Sequence, residues 1–329
     1  EAQADRQTAT LPVLPSPFTD WFAARGWQPR DHQLAMLEAA ARNEDTLLIA
    51  PTGGGKTLAG FLPSLVALEG QPATGLHTLY VSPLKALTTD IARNLETPIS
   101  EMGLEVSFAV RTGDTPANRR KRQRTHPPQI LLTTPESLAL LLSYEDARAY
   151  FQGLRCVILD ELHSIAESKR GALLALGMAR LRGLAPGARF VGLSATVADP
   201  PGLVRFLSPD PERSCIVAAE SGAEPEIAIT LPDGHMPWSG HIALYAAEEV
   251  YRQIEAVRTA LVFVNTRAQA ELFFAALWRL NEANLAIALH HGSLAVEQRR
   301  RVEAAMTKGA LRAVVCTSSL DLGIDWGDV

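Results

Sequence analysis

Eight residues near the start of the chain combine glycines, a lysine and a threonine in an order suited to binding phosphate. Residues 50–57 are Ala-Pro-Thr-Gly-Gly-Gly-Lys-Thr, and they follow the apolar run 46–49. Backbone N–H groups in such a loop, with the amino end of a following helix, bind the phosphates of a nucleoside triphosphate such as ATP. In this loop we expect Lys56 to contact phosphate oxygens and the Thr57 hydroxyl to contact Mg²⁺. The residues predicted to bind the nucleotide are Thr52, Gly53, Gly54, Gly55, Lys56 and Thr57.

The match to the general pattern G-x-x-x-x-G-K-[ST] has one departure. Ala50 stands where the pattern has its first glycine. The alternative interpretation is therefore a glycine-rich turn that only caps a helix.

Two adjacent acids downstream supply the second half of this chemistry. Asp160 and Glu161 directly follow the apolar run 156–159. A carboxylate at the end of a strand can bind Mg²⁺ through water, and a neighbouring carboxylate can orient and deprotonate the water that attacks the γ-phosphate. We assign the first role to Asp160 and the second to Glu161. A polar strand end followed by a capped helix is the alternative.

Short apolar runs that alternate with amphipathic segments surround both motifs. The strands expected in the first part of the chain are 46–50, 78–82, 106–110, 129–133, 156–160 and 190–194. Alternation of strands with helices predicts βαβ units and a parallel sheet, with ligands at the carboxyl ends of the strands. We therefore predict an α/β fold with two parallel-sheet domains in tandem.

A change of composition separates the two predicted domains. Residues 208–226 contain Pro, Gly and Ser with little periodicity, apart from the apolar run 215–219, and we expect a linker there. The predicted division is an N-terminal extension at 1–17, a first domain at 18–207, the linker at 208–226 and a second domain at 227–329.

The second domain is expected to begin with the segment 226–231 and a helix at about 240–256. Strands are expected at 260–264, 286–290 and 313–317. Because few residues follow the linker, we expect this domain to be incomplete at the C-terminus.

The overall composition narrows the class of protein. The 329 residues have a formal net charge of −5, which argues against retention on nucleic acid by bulk charge but permits a local basic groove. Cys156, Cys215 and Cys316 lack C-x-x-C spacing, which is typical of reduced thiols rather than disulfides or zinc ligands. No apolar stretch reaches membrane length, so we expect a cytoplasmic protein without a membrane partner.

The densest positive run has two interpretations. Residues 119–124 are Arg-Arg-Lys-Arg-Gln-Arg, which can line a positive channel for a nucleic-acid strand or a displaced duplex. Consecutive residues cover all faces of a helix and cannot all meet one ligand, so we favour a solvated helix face.

His290 and His291 lack a third ligand at a usable spacing, and we predict no metal other than Mg²⁺.

Together with further short motifs, the two nucleotide motifs resemble those of superfamily 2 helicases of the DExH-box type. The resemblance extends from about residue 18 to the last residue, and the motifs occur in the family's order. It implies two RecA-like domains, with ATP and Mg²⁺ in the cleft between them and a single strand lying across both. The matching segments besides the phosphate loop are Gln33, 82–87, 112–114, 133–137, 160–163, 194–196, 262–267, 290–294 and 317–325.

The resemblance also implies roles for individual residues. The expected catalytic residues are Lys56, Asp160, Glu161 and His163, with Thr57 and Asp160 on Mg²⁺. Further ATP contacts are expected from Arg30, Gln33, Gly323 and Asp325, and the Gln33 amide would bind the adenine edge. Ser194 and Thr196 would couple ATP hydrolysis to movement. Contacts with nucleic acid are expected from Lys85, Gly113, Thr134, Thr266, Arg267, His291, Thr317 and Ser318.

Hydroxyl residues at strand ends have an alternative role. In chains that lack this order of motifs, Ser and Thr at the ends of strands are more often turn or helix-cap residues than phosphate contacts. This alternative applies to Thr134, Thr266, Thr317 and Ser318.

Within superfamily 2, segments 51–57, 290–294 and 317–325 are similar to those of the large helicase-related, or Lhr-like, group. Segments 18–23 and 26–30 are similar to its DNA-ligase-associated branch. This resemblance implies an ATP hydrolase that moves 3′ to 5′ on single-stranded DNA in DNA repair. The implied partners are single-stranded or tailed duplex DNA, with a DNA:RNA hybrid and repair partners such as a ligase as further candidates.

Two other functions remain open on the sequence. One is a translocase that remodels protein–nucleic-acid complexes without unwinding duplex. The other is a nucleotide-gated clamp that binds nucleic acid but hydrolyses ATP too slowly to be a motor. The arginine motif that family members have after segment 317–325 does not occur in these residues. We therefore expect ATP binding but little DNA-stimulated hydrolysis from residues 1–329 alone.

Overall fold

A computed structural model of the chain describes residues 14–51, 53–70, 74–83, 85–195, 197–219, 226–229, 243–317 and 320. The chain divides into two compact units, residues 1–222 and residues 223–329. Within the described residues, no helix is long and apolar enough to cross a membrane. Each unit contains its own parallel sheet.

The first unit is built from ten helices and seven strands within the described residues. Its helices are α1 (Ser16–Ala24), α2 (Asp31–Ala41), α3 (Lys56–Leu68), α4 (Lys85–Glu101), α5 (Ala117–Thr125), α6 (Pro135–Leu142), α7 (Ala147–Phe151), α8 (Leu162–Ile165), α9 (Lys169–Leu184) and α10 (Pro200–Leu207). Its strands are β1 (Asp45–Ile49), β2 (Thr78–Val81), β3 (Phe108–Arg111), β4 (Ile130–Thr133), β5 (Cys156–Leu159), β6 (Arg189–Ser194) and β7 (Ser214–Ala218).

The seven strands form one parallel sheet in the order β3-β4-β2-β5-β6-β1-β7. Strands β2, β4, β5 and β6 are buried along their whole length. Helices therefore cover both faces, and two hydrophobic clusters form the core. One contains Phe61, Tyr80 and Ile158, and the other contains Val157 and Phe190. The parallel α/β fold expected from the alternation of strands and helices is confirmed.

Part of the segment expected to be a linker belongs to this sheet instead. Residues 214–218 form β7, which pairs in parallel with β1 from Asp45↔Ser214 to Ile49↔Ala218. The strand is at the edge of the sheet, and Ile216 is 45% exposed, so only part of its apolar surface is buried. The Pro-rich residues before it gave this short run the composition of a linker, although its β-branched residues fit an edge strand.

Asp45 anchors the strand that leads into the phosphate loop. Its carboxylate is 1% exposed and accepts hydrogen bonds from the Phe190 backbone N–H and the Ser208 hydroxyl, both at 2.7 Å. Arg182 donates to the same carboxylate at 3.0 Å. These donors satisfy the buried charge and connect β1 to β6, α9 and the end of α10.

The second unit has a smaller parallel sheet in the order β8-β10-β9. The described segment 226–229, where the unit was expected to begin, contains no regular structure, and Gly240 lies outside the described residues. The three strands confirm the expected positions to within one residue. The elements of this unit are a 3₁₀ turn at Leu244–Ala246, α11 (Ala247–Ala256), β8 (Ala260–Phe263), α12 (Arg267–Leu280), β9 (Ile287–His290), α13 (Val296–Thr307) and β10 (Ala313–Cys316).

Candidate nucleotide-binding site

The predicted phosphate loop connects the carboxyl end of β1 to the amino end of α3. Gly53 and Gly55 have φ values of 75° and 74°, a conformation that side chains other than glycine rarely adopt. A Cβ on Gly54 would lie 2.8 Å from the Pro51 carbonyl oxygen. The loop therefore needs all three glycines. The first backbone N–H groups of α3 have no acceptor inside the helix, as at any helix start, and can donate to a phosphate. Thr52 lies outside the described residues.

Lys56 is the first residue of α3 and is paired with the predicted general base. Its Nζ lies 3.2 Å from Glu161 Oε1, and the two side chains are only 10% and 7% exposed. The pairing brings together two sequence motifs that were assigned to the same chemistry independently. A buried lysine beside a buried carboxylate and a set of N–H donors is suited to receive phosphate oxygens.

Asp160 is buried at the carboxyl end of β5 and accepts two hydrogen bonds. One comes from the Tyr80 hydroxyl on the neighbouring strand β2, and the other from the Glu161 backbone N–H at 2.8 Å. Burial and the adjacent Glu161 carboxylate raise the pKa of Asp160, whereas the Tyr80 hydrogen bond and Lys56 oppose this shift. Two crowded carboxylates are stabilised by a cation, so the surroundings of Asp160 fit a bound Mg²⁺.

Glu161 connects Lys56 of the phosphate loop to the loop after β6, through His163. Its φ of 49° is left-handed, which is uncommon for a residue with a side chain. Its second oxygen lies 3.3 Å from His163 Nε2. On the other side of the ring, His163 Nδ1 lies 3.0 Å from Ser194 Oγ and accepts from the Ala195 backbone N–H at 3.4 Å.

This arrangement fixes the tautomer of His163. A backbone N–H can only donate, so Nδ1 must accept from Ala195, and the proton of the neutral ring is on Nε2. His163 then donates to Glu161. The result is a continuous chain of contacts from Lys56 through Glu161 and His163 to Ser194.

Gln33 and Arg30 lie beside the loop. Gln33 is 3% exposed, and its Oε1 accepts from the Arg30 backbone N–H at 3.0 Å. Its Nε2 lies 3.1 Å from where a Cβ on Gly55 would be. Arg30 Nη1 donates to the Gly53 carbonyl oxygen at 3.5 Å. Both side chains therefore lie next to the predicted phosphate loop.

Tyr80 and the Ala195 amide are site residues that the sequence did not reveal. Tyr80 reaches Asp160 because β2 pairs with β5, with Tyr80 opposite Ile158. Burial raises the pKa of Tyr80 well above its usual range, so the phenol remains a donor. Tyr80 lies outside every predicted motif, and Ala195 lies in segment 194–196, where only Ser194 and Thr196 were assigned a role. The contacts of both residues join segments that are distant in sequence.

We expect Tyr80→Phe to raise the Mg²⁺ concentration needed for half-maximal ATP binding by about tenfold, because partners that orient a metal ligand typically contribute this much to metal affinity. The ring should keep its stacking on Phe61, at 5.2 Å between centroids, so the fold should be unchanged. The measurement is a titration of a fluorescent ATP analogue with Mg²⁺.

Tyr150→Phe is the matched control for this experiment. Tyr150 is also buried in the first unit, but its hydroxyl has no hydrogen-bond partner within the described residues. An unchanged Mg²⁺ requirement for Tyr80→Phe, or an equal change in the control, would contradict the role assigned to Tyr80.

The predicted nucleic-acid contacts in the first unit lie at the carboxyl ends of β3 and β4. Gly113 is exposed in the loop after β3. Thr134 is 3% exposed and caps α6 through a hydrogen bond from the Ser137 backbone N–H at 3.5 Å. Its hydroxyl thus has the cap role that was the alternative on the sequence. The Lys85 side chain and Thr196 lie outside the described residues.

In the second unit, three residues predicted to contact nucleic acid form hydrogen bonds within the unit. Thr266 and Gln269 form reciprocal hydrogen bonds of 3.1 Å that cap α12, and Arg267 Nη1 donates to Ser293 Oγ at 2.5 Å. His291 is 1% exposed, and its Nδ1 accepts from the Ser293 backbone N–H at 3.3 Å. This placement gives the His291 ring a supporting role in the loop. Thr317 follows β10, while Ser318, Gly323 and Asp325 lie outside the described residues.

Comparisons with known proteins agree with this arrangement. Residues 30–202 match the DEAD/DEAH box helicase family, and residues 244–329 match the helicase conserved C-terminal domain. The chain is 37% identical to the Lhr helicase/uracil glycosylase of Escherichia coli K12, over 98% of this chain and 25% of that protein. It is 39% identical to the ATP-dependent helicase Lhr-Core of Methanothermobacter thermautotrophicus, over 94% of this chain and 38% of that protein.

Solved structures give the same result for the fold. The structure of Mycobacterium smegmatis helicase Lhr bound to ssDNA and AMP-PNP matches 97% of this chain and 43% of that chain, with a TM-score of 0.81 and 38% identity. The helicase MrfA bound to DNA matches 96% of this chain and 46% of that chain, with a TM-score of 0.78 and 25% identity. The resemblance to superfamily 2 and the Lhr-like group is confirmed, as are two RecA-like domains in tandem. The chain spans between a quarter and two fifths of the length of the curated Lhr relatives above.

Proposed function

Because this chain belongs to the DEAD/DEAH box helicase family, we propose that it forms the ATP-driven motor of an Lhr-like helicase acting on single-stranded DNA. The observation that supports this most directly is the chain of contacts Lys56–Glu161–His163–Ser194. It joins the residues that contact phosphate to a segment that couples hydrolysis to movement in such helicases. The sequence resemblance adds 3′-to-5′ movement and DNA repair to the proposal.

The nucleotide is bound by the loop and the residues around it. The N–H groups of the loop and the Lys56 ammonium bind the phosphates, and Gln33 binds the adenine edge. Thr57 and Asp160 would hold Mg²⁺, which would neutralise negative charge on the phosphates. Glu161 orients the attacking water and takes its proton, because its carboxylate lies beside Lys56 at the end of β5.

The hydrogen bonds around His163 transmit the state of the nucleotide. Lys56 contacts Glu161 in the structure, and a γ-phosphate would compete for the same ammonium group. A change at Glu161 alters the acceptor of the His163 Nε2–H, and the opposite side of that ring contacts Ser194 and Ala195. The loop after β6 is therefore sensitive to the presence of the γ-phosphate.

DNA is bound through its phosphates rather than its bases. The proposed contacts of the first unit, Gly113 and Thr134, lie after neighbouring parallel strands, where backbone N–H groups are available. Contacts of this kind carry no sequence information, which suits an enzyme that moves along any sequence.

The test is the affinity of residues 1–329 for a fluorescent single-stranded DNA, measured with Mg²⁺ and either AMP-PNP or ADP. We expect AMP-PNP to increase the affinity by about fivefold or more, since coupling between two sites typically has this size. His163→Ala should reduce this difference while leaving the affinity measured with ADP unchanged.

Other outcomes would redirect or overturn the proposal. Equal affinities with AMP-PNP and ADP would contradict a nucleotide-driven motor. Tight binding of single-stranded RNA without binding of DNA would contradict the substrate. Coupled binding without single-turnover hydrolysis, in a protein that also contains the C-terminal arginine motif, would favour the nucleotide-gated clamp.

A further inference from the structure

Helix α5 is the most basic element of the first unit, and no assigned role explains its composition. Its nine residues, Ala-Asn-Arg-Arg-Lys-Arg-Gln-Arg-Thr, contain five cations and no acid, and none of them is buried. The whole chain has a net charge of −5, so this positive charge is local. Arg119 and Arg122 are one turn apart and repel each other, and Arg119 lies in the first turn, where the helix dipole disfavours cations.

One side of α5 is fixed to the rest of the unit. Arg111 on β3 donates to the Arg120 carbonyl oxygen at 2.9 Å, and Gln123 Nε2 donates to the Val110 carbonyl oxygen at 3.0 Å. Arg124 forms an ion pair with Asp146 at 2.8 Å and lies 3.9 Å from the centre of the Tyr144 ring. These contacts hold the helix in place without burying any apolar side chain.

The opposite side of α5 presents three cations to solvent. Arg119, Lys121 and Arg122 are exposed and form no ion pair within the described residues. At about 100° per residue, they spread over about 160° of the helix circumference, away from the anchored positions of Arg120, Gln123 and Arg124. We call these three side chains the α5 surface. A rigid helix with an unneutralised positive face is a suitable site for a polyanion.

The position of α5 in the fold excludes ATP as this ligand. Five strand spacings separate β3, which precedes α5, from β1, which leads into the phosphate loop. This corresponds to about 24 Å across the sheet, too far for the phosphates of one nucleotide to reach both. In contrast, α5 follows directly after residues 112–114, and β4 with Thr134 at its end is the neighbour of β3.

We propose that the α5 surface binds the phosphate backbones of the duplex part of a tailed DNA, next to the single strand at the carboxyl ends of β3 and β4. Cations along one line of a helix would follow a single strand, whereas Arg119, Lys121 and Arg122 spread over about 160° of the circumference of α5. Two backbones that border a groove can meet cations spread in this way, and arginine matches phosphate geometry well. This inference rests on the proposed single-stranded DNA site.

The experiment compares Arg119→Gln/Lys121→Gln/Arg122→Gln with the unaltered chain of 329 residues. Binding of a tailed duplex and of its tail alone is measured by fluorescence anisotropy with AMP-PNP at several salt concentrations. For the tailed duplex we expect about tenfold weaker binding and a slope of log K against log salt that is smaller by about 2 to 3. Binding of the single-stranded tail should change less than about twofold, because the removed cations contact the duplex part only.

A matched control removes the same charge elsewhere on the first unit. Arg42→Gln/Arg180→Gln/Arg205→Gln alters one exposed cation directly after α2, one on α9 and one on α10, and each of these helices precedes the amino end of a strand. This variant should bind both DNAs like the unaltered chain. The α5 variant should also unfold at the same temperature or higher, because glutamine favours helix and relieves the repulsion.

Three outcomes would overturn the inference. Equal losses for the tailed duplex and the tail would mean that the α5 surface contacts the single strand. Equal losses in the two triple variants would mean a general effect of charge, and no loss in the α5 variant would mean a solvated helix face. Failure of the unaltered chain to bind single-stranded DNA would count against the proposed function instead.

Discussion

In a protein that also contains the C-terminal arginine motif, Lys56→Ala will reduce DNA-stimulated ATP hydrolysis by at least about 100-fold, because it removes a charge-assisted contact to the transferred phosphate. The structure adds a second expectation. Lys56 is only 9% exposed and is paired with Glu161, so its side chain belongs to a buried ion pair. Its removal leaves a buried carboxylate without its partner and should destabilise the first unit by about 3 kcal/mol.

A double variant separates these two effects. Lys56→Ala/Glu161→Gln removes the uncompensated charge, so urea unfolding without nucleotide should show stability close to that of the unaltered chain. Hydrolysis should remain as low as in Lys56→Ala, because the phosphate contact is still missing. Unaltered hydrolysis in the single variant would refute the assignment of the loop. Equal stability of the single variant and the unaltered chain would refute the importance of the buried ion pair.

Most of the first sheet was predictable because its strands are short, apolar and separated by helices. The expected run 156–160 corresponds to β5 at Cys156–Leu159, and 190–194 corresponds to β6 at Arg189–Ser194. The start of β3 was placed two residues early, at Val106 rather than Phe108. There the Ser107 N–H donates to the Gln129 side chain at 2.8 Å instead of to a neighbouring strand. A side chain that replaces a ladder hydrogen bond leaves no trace in hydrophobic periodicity.

The candidate site was predictable where its chemistry lies within contiguous residues. The loop ending in Lys56 and the pair Asp160 and Glu161 are short motifs, and the structure brings them together. Tyr80 was not predictable, because its role depends on the pairing of β2 with β5. The hydroxyls of Thr134 and Thr266 show the opposite case. Helix capping was the alternative to a nucleic-acid contact in the sequence analysis, and in the structure both hydroxyls cap helices.

In a protein that also contains the C-terminal arginine motif, Glu161→Gln will slow ATP hydrolysis by about 100- to 10,000-fold and leave the affinity for ATP within about threefold. An amide can position water but cannot accept its proton. The affinity should persist because the glutamine oxygen can still accept from Lys56, as Glu161 Oε1 does at 3.2 Å. Single-turnover hydrolysis and equilibrium binding of a fluorescent ATP analogue measure the two quantities. Glu167→Gln is the control, since Glu167 is exposed in the turn before α9.

The same substitution should also disturb the connection to Ser194 and Ala195. Glu161 accepts from Lys56 with one oxygen and from His163 Nε2 with the other, whereas glutamine has only one oxygen. If that oxygen faces Lys56, the amide N–H₂ faces His163, whose Nε2 can then accept only if the ring proton moves to Nδ1. Nδ1 would in turn meet the donor N–H of Ala195, and the contact with the loop after β6 would be lost.

Nitrogen NMR of the His163 ring tests this step directly. We expect the Nε2–H tautomer in the unaltered chain and a shift toward the Nδ1–H tautomer in Glu161→Gln. The affinity difference for single-stranded DNA between AMP-PNP and ADP should shrink in parallel. Slow hydrolysis with an unchanged tautomer and unchanged DNA coupling would leave Glu161 as a base alone and contradict its place in the chain of contacts. Normal hydrolysis with lost ATP affinity would instead make Glu161 a ligand of the nucleotide.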